Sequence, residues 1–401
     1  MTDTPVLTTT LGTLTLKNPF ILASAPPTAS AEMIRRGFRA GWGGAVIKTI
    51  HPDGMAIRDV SPRFAAWKGN GGELLGFENI ELLSKKSVSY WETEIPGIKA
   101  DFPDHVLIAS IMGDTEPESW QALAGTVQDA GCDAIELNVS CPHGMPEAGV
   151  GAAIGQNPPL VKQFTRSVVS VAKVPVYVKM TPNITDITLP ARAAAAGGAA
   201  GISAINSVQS VCGVDIETFD PHPSVDGLSA HGGYSGPAIK PIGLERVAAI
   251  ARNTDLPVMG IGGVSTWQDV VEYMLLGASA VQACTAVMWN GYGIVKEMNR
   301  GLVSYLARKG FSSPDELCGL GLRQLTSHQS LSRDARIRPV PDSKKKCVSC
   351  GRCVTACRDG GYAAIRLVKK KPVIDPAACD GCGLCILVCP AGALEAQQES
   401  R

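Results

Sequence analysis

The chain has 401 residues and no net formal charge, because 37 Lys and Arg balance 37 Asp and Glu. A hydrophobic fraction of 45% allows a large buried core and excludes a wholly disordered chain. Zero net charge argues against a general nucleic-acid binder, and no apolar run has the length of a membrane span. The first residues lack the regions of a signal peptide. We therefore expect a cytoplasmic protein with no nucleic-acid or membrane partner.

Eight apolar runs of strand length recur before residue 290, separated by helix-like segments. The runs are Phe20–Ala25, Ala45–Thr49, Val106–Met112, Ala134–Val139, Val176–Met180, Gly201–Asn206, Pro257–Ile261 and Ala280–Ala286. The helical segments are Glu32–Ala40, Ser119–Ala130, Leu160–Val171, Leu189–Ala196, Leu244–Arg252 and Thr266–Leu276. Continuous apolar strands alternating with amphipathic helices indicate a parallel sheet covered by helices. Eight such units predict an α/β fold of the (β/α)8 TIM barrel type, with the Thr8–Lys17 segment as a hairpin that closes its bottom.

The alternative fold is an open doubly wound sheet that binds a dinucleotide. Its Gly-x-Gly-x-x-Gly fingerprint is missing, because the third glycine is absent after Gly41-Trp42-Gly43, Gly149-Val150-Gly151, Gly260-Ile261-Gly262 and Gly291-Tyr292-Gly293. The sequence therefore shows no site of its own for NAD(P)H or FAD.

The cysteines are concentrated near the C-terminus, where eight of the thirteen lie between Cys347 and Cys389. A reducing compartment disfavours disulfides, so this density indicates metal. The spacing C-x2-C-x2-C-x3-C occurs twice, which is the pattern of two-cluster bacterial ferredoxins. Separated Cys-x-x-Cys knuckles, which a pair of zinc sites would need, are absent from this pattern.

Three cysteines of each run are expected to bind one cluster, and the fourth is directed toward the other cluster. The first [4Fe–4S] cluster is therefore assigned to Cys347, Cys350, Cys353 and Cys389, and the second to Cys379, Cys382, Cys385 and Cys357. Paired clusters carry single electrons, so we expect a redox cofactor in the barrel.

The sequence predicts two domains joined by a linker. The barrel is assigned to residues 1–312, the linker to 313–342, and a small α+β ferredoxin-like domain with two [4Fe–4S] clusters to 343–401. From Ser343 onward, ten Lys and Arg face five Asp and Glu, so a basic tail follows an acidic barrel.

Active-site residues of such barrels lie at the carboxyl ends of the strands. The predicted ends carry Lys48, Lys179, two asparagines and a cysteine. Gly262 and Gly263 after the seventh run, with Thr285 in the eighth, suit the phosphate of FMN. A lysine near the flavin ring would stabilise the negative charge of reduced flavin.

The motifs Ser61-Pro62-Arg63, Asn138–Met145 and Lys179–Asn183, together with the cysteine-rich tail, resemble dihydropyrimidine dehydrogenases. The likeness is to the bacterial subunit with an FMN barrel and two clusters, and the barrel is also similar to dihydroorotate dehydrogenases. The resemblance implies FMN contacts at Ala25, Lys48, Thr49, Asn138, Lys179, Gly236, Gly262, Gly263 and Thr285.

The resemblance also implies a mechanism for the 5,6 double bond of uracil or thymine. FMN N5 exchanges a hydride with ring atom C6, and Cys141 protonates C5. The glycine-rich segment that follows Cys141 in the chain, Pro142–Gln156, acts as a closing lid. Substrate contacts are implied at Asn138, Ser140, Asn206 and Ser207. One departure affects the substrate prediction. The loop after strand three has no family asparagine, so Asp114, Thr115 or Glu116 replaces it, or the substrate is not a plain pyrimidine.

Electrons are then expected from an NAD(P)H-oxidising flavoprotein subunit that carries FAD and iron–sulfur clusters, in a dimer or heterotetramer. One alternative is a dehydrogenase or reductase of another conjugated cyclic carbonyl compound, such as dihydroorotate or an enone. A second alternative is a non-catalytic electron-transfer protein. The four remaining cysteines, Cys132, Cys212, Cys284 and Cys318, are expected to be packing residues.

Overall fold

A computed structural model describes residues 5–55, 57–342 and 345–400. The described chain forms two compact units, one ending at Gln324 and the next beginning at Leu325. Three residues that bound the predicted domains, Met1, Ser343 and Arg401, lie outside the described residues.

The first unit contains fourteen strands among its described residues. In chain order they are β1 (Thr9–Leu11), β2 (Leu14–Leu16), β3 (Phe20–Leu22), β4 (Gly44–Ile50), β5 (Phe64–Lys68), β6 (Leu74–Asn79), β7 (Val106–Ile111), β8 (Ala134–Asn138), β9 (Val176–Met180), β10 (Gly201–Ala204), β11 (Val208–Ser210), β12 (Gly232–Ser235), β13 (Val258–Ile261) and β14 (Ala278–Ala283). Eight of them, β3, β4, β7, β8, β9, β10, β13 and β14, close into a parallel barrel. The predicted (β/α)8 barrel is confirmed, and the open sheet is excluded.

Ten α-helices accompany these strands in the described part of the unit. They are α1 (Ala31–Ala40), α2 (Val88–Asp101), α3 (Pro117–Asp129), α4 (Ala152–Gly155), α5 (Pro158–Val169), α6 (Thr188–Ala196), α7 (Lys240–Asn253), α8 (Trp267–Leu275), α9 (Thr285–Asn290) and α10 (Ile294–Lys309). Local signals fix their ends: the Ser30 hydroxyl accepts from Met33 N–H at the start of α1, and Gly41 ends that helix with a φ of 114°.

The lower end of the barrel is filled by side chains. The predicted hairpin forms as β1 and β2, and its Leu11 and Leu16 pack with strand residues that include Val46, Ile108 and Met259. The hairpin therefore contributes apolar side chains to one end of the barrel, and the opposite end, at the carboxyl ends of the strands, holds the candidate site.

A second sheet, which the sequence did not predict, belongs to the same unit. Strands β5 and β6 come from the segment after the second barrel strand, and β11 and β12 from the segment after the sixth. They pair antiparallel in the order β11–β12–β6–β5, with Tyr234 opposite Glu78 and Gly233 opposite Asn79. Two distant insertions are thus joined beside the carboxyl ends of the barrel strands.

The second unit contains β15 (Ala335–Pro341), α11 (Arg352–Asp359), β16 (Ile365–Val368), β17 (Lys371–Ile374), α12 (Leu384–Leu387) and β18 (Leu394–Ser400). Strands β15 and β18 pair antiparallel, as do β16 and β17. Its buried apolar cluster consists of Cys353, Ile365, Cys385 and Leu394.

The segment 313–342, which the sequence presents as a linker, contains ordered structure in both units. A short 3-10 helix at Pro314–Leu317 belongs to the first unit, where the Asp315 carboxylate accepts from the Thr9 hydroxyl and, at 3.2 Å, from Thr10 N–H. Strand β15 belongs to the second unit. Across the described residues, every helix falls short of the length and apolar character needed to span a membrane.

Candidate active site and cluster sites

A cavity opens at the carboxyl ends of the barrel strands. Its volume is about 1040 Å³, counting the space at its open mouth. It is lined by every barrel site residue that the sequence predicted except Ser140: Ala25, Lys48, Thr49, Asn138, Cys141, Lys179, Asn206, Ser207, Gly236, Gly262, Gly263 and Thr285. Residues spread over most of the chain therefore meet at one site.

Two buried lysines line the cavity, and each has a carboxylate partner. Lys48 Nζ lies 3.1 Å from Glu81 Oε2, and Arg63 reaches the other oxygen of Glu81 at 3.3 Å. Lys179 Nζ lies 3.7 Å from Oε1 of the fully buried Glu136. Each cationic side chain of the cavity therefore has a carboxylate within 4 Å, and the carboxylate beside Lys48 is shared with Arg63.

Three glycines form one wall of the cavity in backbone conformations that favour glycine. Gly236, Gly262 and Gly263 have φ values of 103°, 124° and 70°. A Cβ on Gly263 would approach Cβ of Lys240 to 2.8 Å and the Gly236 carbonyl oxygen to 3.0 Å. Close backbone approach of this kind, beside the seventh and eighth strands, fits the phosphate end of a flavin nucleotide.

The thiol of Cys141 lies in the cavity wall, where the residue is only 7% exposed. Its Sγ donates to the backbone carbonyl of His143 at 3.5 Å. Burial raises the pKa of this thiol to about 11, so it is protonated at neutral pH. A Cβ on Gly151 would lie 2.9 Å from the Cys141 carbonyl oxygen, and its φ is 62°. The glycine-rich segment after Cys141 therefore packs closely around it.

The ring of His143 does not contact the thiol. Its Nε2 donates to the backbone carbonyl of Glu81 at 2.9 Å, and burial lowers the pKa of the imidazole. A neutral ring with Nε2–H is therefore expected. His143 contacts Cys141 through its backbone carbonyl.

The predicted amide contacts form a hydrogen-bonded chain. Asn138 donates to Thr49 Oγ1, Ser140 Oγ donates to Asn138 Oδ1, and Asn206 Nδ2 donates to Ser140 Oγ, each at 2.9 Å. Ser140 is fully buried and does not line the cavity, because its hydroxyl is held between the two amides. It orients Asn138 and Asn206, and the prediction of a direct substrate contact at Ser140 does not match this placement.

The loop after the third barrel strand does not reach the cavity. Asp114 accepts from Ser119 Oγ at 2.7 Å and from Glu116 N–H at 2.8 Å, which organises the start of α3. None of Asp114, Thr115 and Glu116 lines the cavity, so their placement does not support the expectation that one of them replaces the family asparagine. An asparagine does line the cavity from elsewhere: Asn79, at the end of β6, donates to the Gly233 carbonyl at 3.1 Å.

Asn79 and Glu81 are among the polar lining residues that the sequence interpretation missed. Asn79 ends the short strand β6, and Glu81 follows it. The strand that pairs with β6, β12, lies more than 150 residues further along the chain. The only local signal was a polar pair, Asn79 and Glu81, at the end of an apolar run.

The second unit groups the eight predicted cysteines into the two predicted sets. Cys347, Cys350, Cys353 and Cys389 surround a cavity of about 340 Å³. Cys357, Cys379, Cys382 and Cys385 surround another of about 330 Å³. Four thiols around each cavity are the donor set of a [4Fe–4S] cluster.

Backbone amides are directed at the sulfur atoms in both sets. Ala393 N–H donates to Cys389 Sγ at 3.2 Å, and Ala364 N–H donates to Cys357 Sγ at 3.3 Å. Such hydrogen bonds stabilise ligating thiolates. Of the remaining cysteines, Cys132 and Cys212 are buried, whereas Cys284 lines the barrel cavity beside Met288.

Comparisons with known proteins agree with this architecture. Residues 6–306 match the family described as dihydroorotate dehydrogenase, and residues 342–396 match a 4Fe-4S dicluster domain. These matches support a flavin in the barrel and iron–sulfur clusters in the second unit.

Several relatives resemble the chain over most of its length. It is 40% identical, over 94% of its own length and 92% of the relative's, to the NAD-dependent dihydropyrimidine dehydrogenase subunit PreA of Escherichia coli. It is 40% identical over 82% of its length, and 79% of the relative's, to the chloroplastic dihydropyrimidine dehydrogenase (NADP(+)) of Arabidopsis thaliana. It is also 40% identical, over 77% and 96% of the two lengths, to the dihydroorotate dehydrogenase B (NAD(+)) catalytic subunit of Pyrococcus abyssi.

The Escherichia coli relative, which is a subunit of an enzyme, matches 94% of this chain and therefore shares both of its units. With its barrel, its paired cysteine sets and its identity to these relatives, the chain belongs to the dihydropyrimidine dehydrogenase family of oxidoreductases.

Proposed function

We propose that this protein reduces the 5,6 double bond of a neutral cyclic amide, with uracil and thymine as the lead substrates. The observation that carries the proposal is that each lysine of the cavity is already paired with a carboxylate. Of the described residues that line it, Lys48 and Lys179 are the ones with cationic side chains, and each has a carboxylate within 4 Å. A ring without a carboxylate needs no additional cation, whereas dihydroorotate would need one.

Bound FMN would supply the hydride that enters at ring carbon C6. The residues that would hold it are Ala25, Lys48, Thr49, Asn138, Lys179, Gly236, Gly262, Gly263 and Thr285. The glycines fit a phosphate, as described above, and the lysines provide positive charge where reduced flavin carries negative charge.

Cys141 is proposed to supply the proton at C5. Its buried thiol, with a pKa near 11, is protonated at neutral pH and is therefore an acid rather than a nucleophile there. One hydride and one proton saturate the double bond, and the thiolate that remains is reprotonated from solvent. In the opposite direction, the thiolate removes the proton from C5.

The amide groups of the substrate would pair with amide side chains. Asn79, Asn206 and Ser207 line the cavity and offer both donors and acceptors. Asn138 has its amide oxygen and nitrogen engaged by Ser140 and Thr49, which fixes its orientation. This fixed orientation supports recognition of the alternating N–H and C=O groups of a pyrimidine edge.

Electrons are proposed to arrive through the two [4Fe–4S] clusters from an NAD(P)H-oxidising flavoprotein with FAD and iron–sulfur clusters, in a dimer or heterotetramer. The name of the Escherichia coli relative, a subunit of an NAD-dependent enzyme, supports this arrangement. We expect the purified chain alone to show little NADH-dependent turnover. Rapid NADH oxidation without a second subunit would contradict the proposal that a partner flavoprotein supplies the electrons.

A second candidate function is the oxidation of dihydroorotate, which the likeness to the Pyrococcus abyssi catalytic subunit favours. Ligand titrations of the FMN-loaded protein, followed by flavin absorbance, distinguish the two. We expect uracil and thymine to bind more tightly than orotate. Tighter binding of orotate would reject the neutral-amide proposal in favour of the second candidate.

A further inference from the structure

One layer of the barrel interior next to the cavity is polar. Glu136 on β8, Ser203 on β10 and Gln282 on β14 are all fully buried. Barrel interiors are usually filled in layers by branched apolar side chains from alternate strands. These three residues come from the fourth, sixth and eighth barrel strands, which are alternate strands. They therefore form one layer of the interior, and this layer is polar where an apolar one is usual. Burying a carboxylate there is costly, which points to a role in function.

The Glu136 carboxylate is held by neutral donors at one oxygen only. Its Oε2 accepts from Ser203 Oγ at 2.7 Å and from Gln282 Nε2 at 3.1 Å. Its Oε1 is buried and has no hydrogen-bond partner. The 3.7 Å from Oε1 to Lys179 Nζ is an ion-pair distance but exceeds that of a hydrogen bond.

This arrangement differs from that of the other lysine in the cavity. Lys48 is within hydrogen-bond distance of Glu81, at 3.1 Å. Lys179, with a side chain only 6% exposed, has its charge balanced by Glu136 while its N–H groups are left to the cavity. Ser203 and Gln282 keep the balancing carboxylate in place.

We propose that Glu136 is a positioning residue for Lys179 and that its negative charge sets the reduction potential of the flavin. The inference rests on the proposed function, because it requires a flavin in the cavity. A cation beside the ring favours the reduced, negatively charged flavin, and a buried anion behind that cation opposes the effect. Removing the anion therefore makes the flavin easier to reduce.

The test is a potentiometric titration of FMN-loaded protein with mediator dyes and no pyrimidine, with the cluster signals followed separately by electron paramagnetic resonance. Glu136→Gln retains the shape of the side chain and its acceptor oxygen but lacks the charge. We expect its flavin midpoint potential to be more positive than that of the wild type. Glu136→Asp, which retains the charge but moves it away from Lys179, should give an intermediate value.

The matched control is Glu78→Gln. Glu78 is also fully buried in this unit, but it lies on β6 outside the barrel, and its carboxylate accepts from Ser210 Oγ on β11 of the same sheet. Its substitution should leave the flavin potential unchanged.

An unchanged potential in Glu136→Gln would overturn the proposal. If Glu136→Gln does not retain FMN, Glu136→Asp decides: a flavin potential more positive than that of the wild type supports the proposal, and an unchanged potential overturns it. Failure of the proposed function is seen separately, as a wild-type protein that does not bind FMN or is not reduced by a dihydropyrimidine.

Discussion

The barrel unit and the cluster unit differ in what fills their interiors. The barrel has a large apolar core, and polar groups are buried in it around the cavity, as with Glu136 and Lys179. The buried apolar cluster of the second unit has four members, and two of them, Cys353 and Cys385, are predicted cluster ligands. We therefore expect the first unit to be stable without its cofactor and the second to depend on iron for its fold.

The largest expected effect tests that dependence. Removing iron with a chelator under reducing conditions should unfold the cluster unit and leave the barrel folded, because metal binding supplies folding free energy to so small a core. Hydrogen exchange followed by mass spectrometry should show loss of protection in β15–β18 only. If these strands stay protected in iron-free protein, the second unit folds without iron, and the expected difference in stability between the two units is wrong.

The next effect concerns the cavity alone. Cys141→Ala should lower kcat for pyrimidine reduction by about 10²–10⁴-fold, the usual contribution of a positioned acid, with FMN and cluster spectra unchanged. Cys132→Ala is the matched control, since Cys132 is also buried in the barrel but does not line the cavity. Full activity in Cys141→Ala would leave another group as the proton donor.

The pH dependence should follow the buried thiol. Burial raises the pKa of Cys141 to about 11, so the thiol stays protonated as the pH rises from neutrality. Deprotonation of Cys141 should therefore not lower the rate of reduction until the pH approaches that value. Oxidation of the dihydropyrimidine needs the thiolate, so its rate should rise about tenfold per pH unit up to that value. Single-turnover rates in both directions provide the measurement. A loss of reduction with an apparent pKa near 8.5, the value of an exposed thiol, would show that the cavity does not exclude water from Cys141.

A smaller effect is expected from the Lys48–Glu81 pair. Glu81→Gln leaves Lys48 without its carboxylate in the cavity, so orotate should bind roughly tenfold more tightly, as for a charge-assisted hydrogen bond worth about 1.4 kcal/mol. Flavin absorbance titrations measure the change, and Glu78→Gln serves as the control. Unchanged orotate affinity would mean that Glu81 does not determine the preference for neutral rings.

The two units also differ in how far the sequence alone predicts them. Local spacing indicated three cysteines of each set, and the ferredoxin pattern assigned the fourth from the other run. Apolar runs predicted the eight barrel strands, and hence Lys48 and Lys179 at their ends. Asn79 was missed because it reaches the cavity through the pairing of β6 with β12, and no local pattern encodes a pairing over that distance.

The buried charges were unpredictable for a related reason. Glu136 lies within an apolar run, Ala134–Asn138, and only the parallel pairing of β8 with β9 brings it to Lys179. Ser140, next to Asn138, was expected at the substrate, but its side chain is held between two amides. Which neighbour a polar side chain bonds is decided by tertiary packing, not by its place in a motif.

The most direct test of the account is anaerobic mixing of the FMN-loaded protein with dihydrouracil, compared with dihydroorotate, followed by flavin absorbance. We expect that dihydrouracil reduces the flavin, that dihydroorotate does so poorly, and that Cys141→Ala slows the reaction with dihydrouracil. Reduction by dihydroorotate but not by dihydrouracil would contradict the central claim that the cavity acts on a neutral cyclic amide.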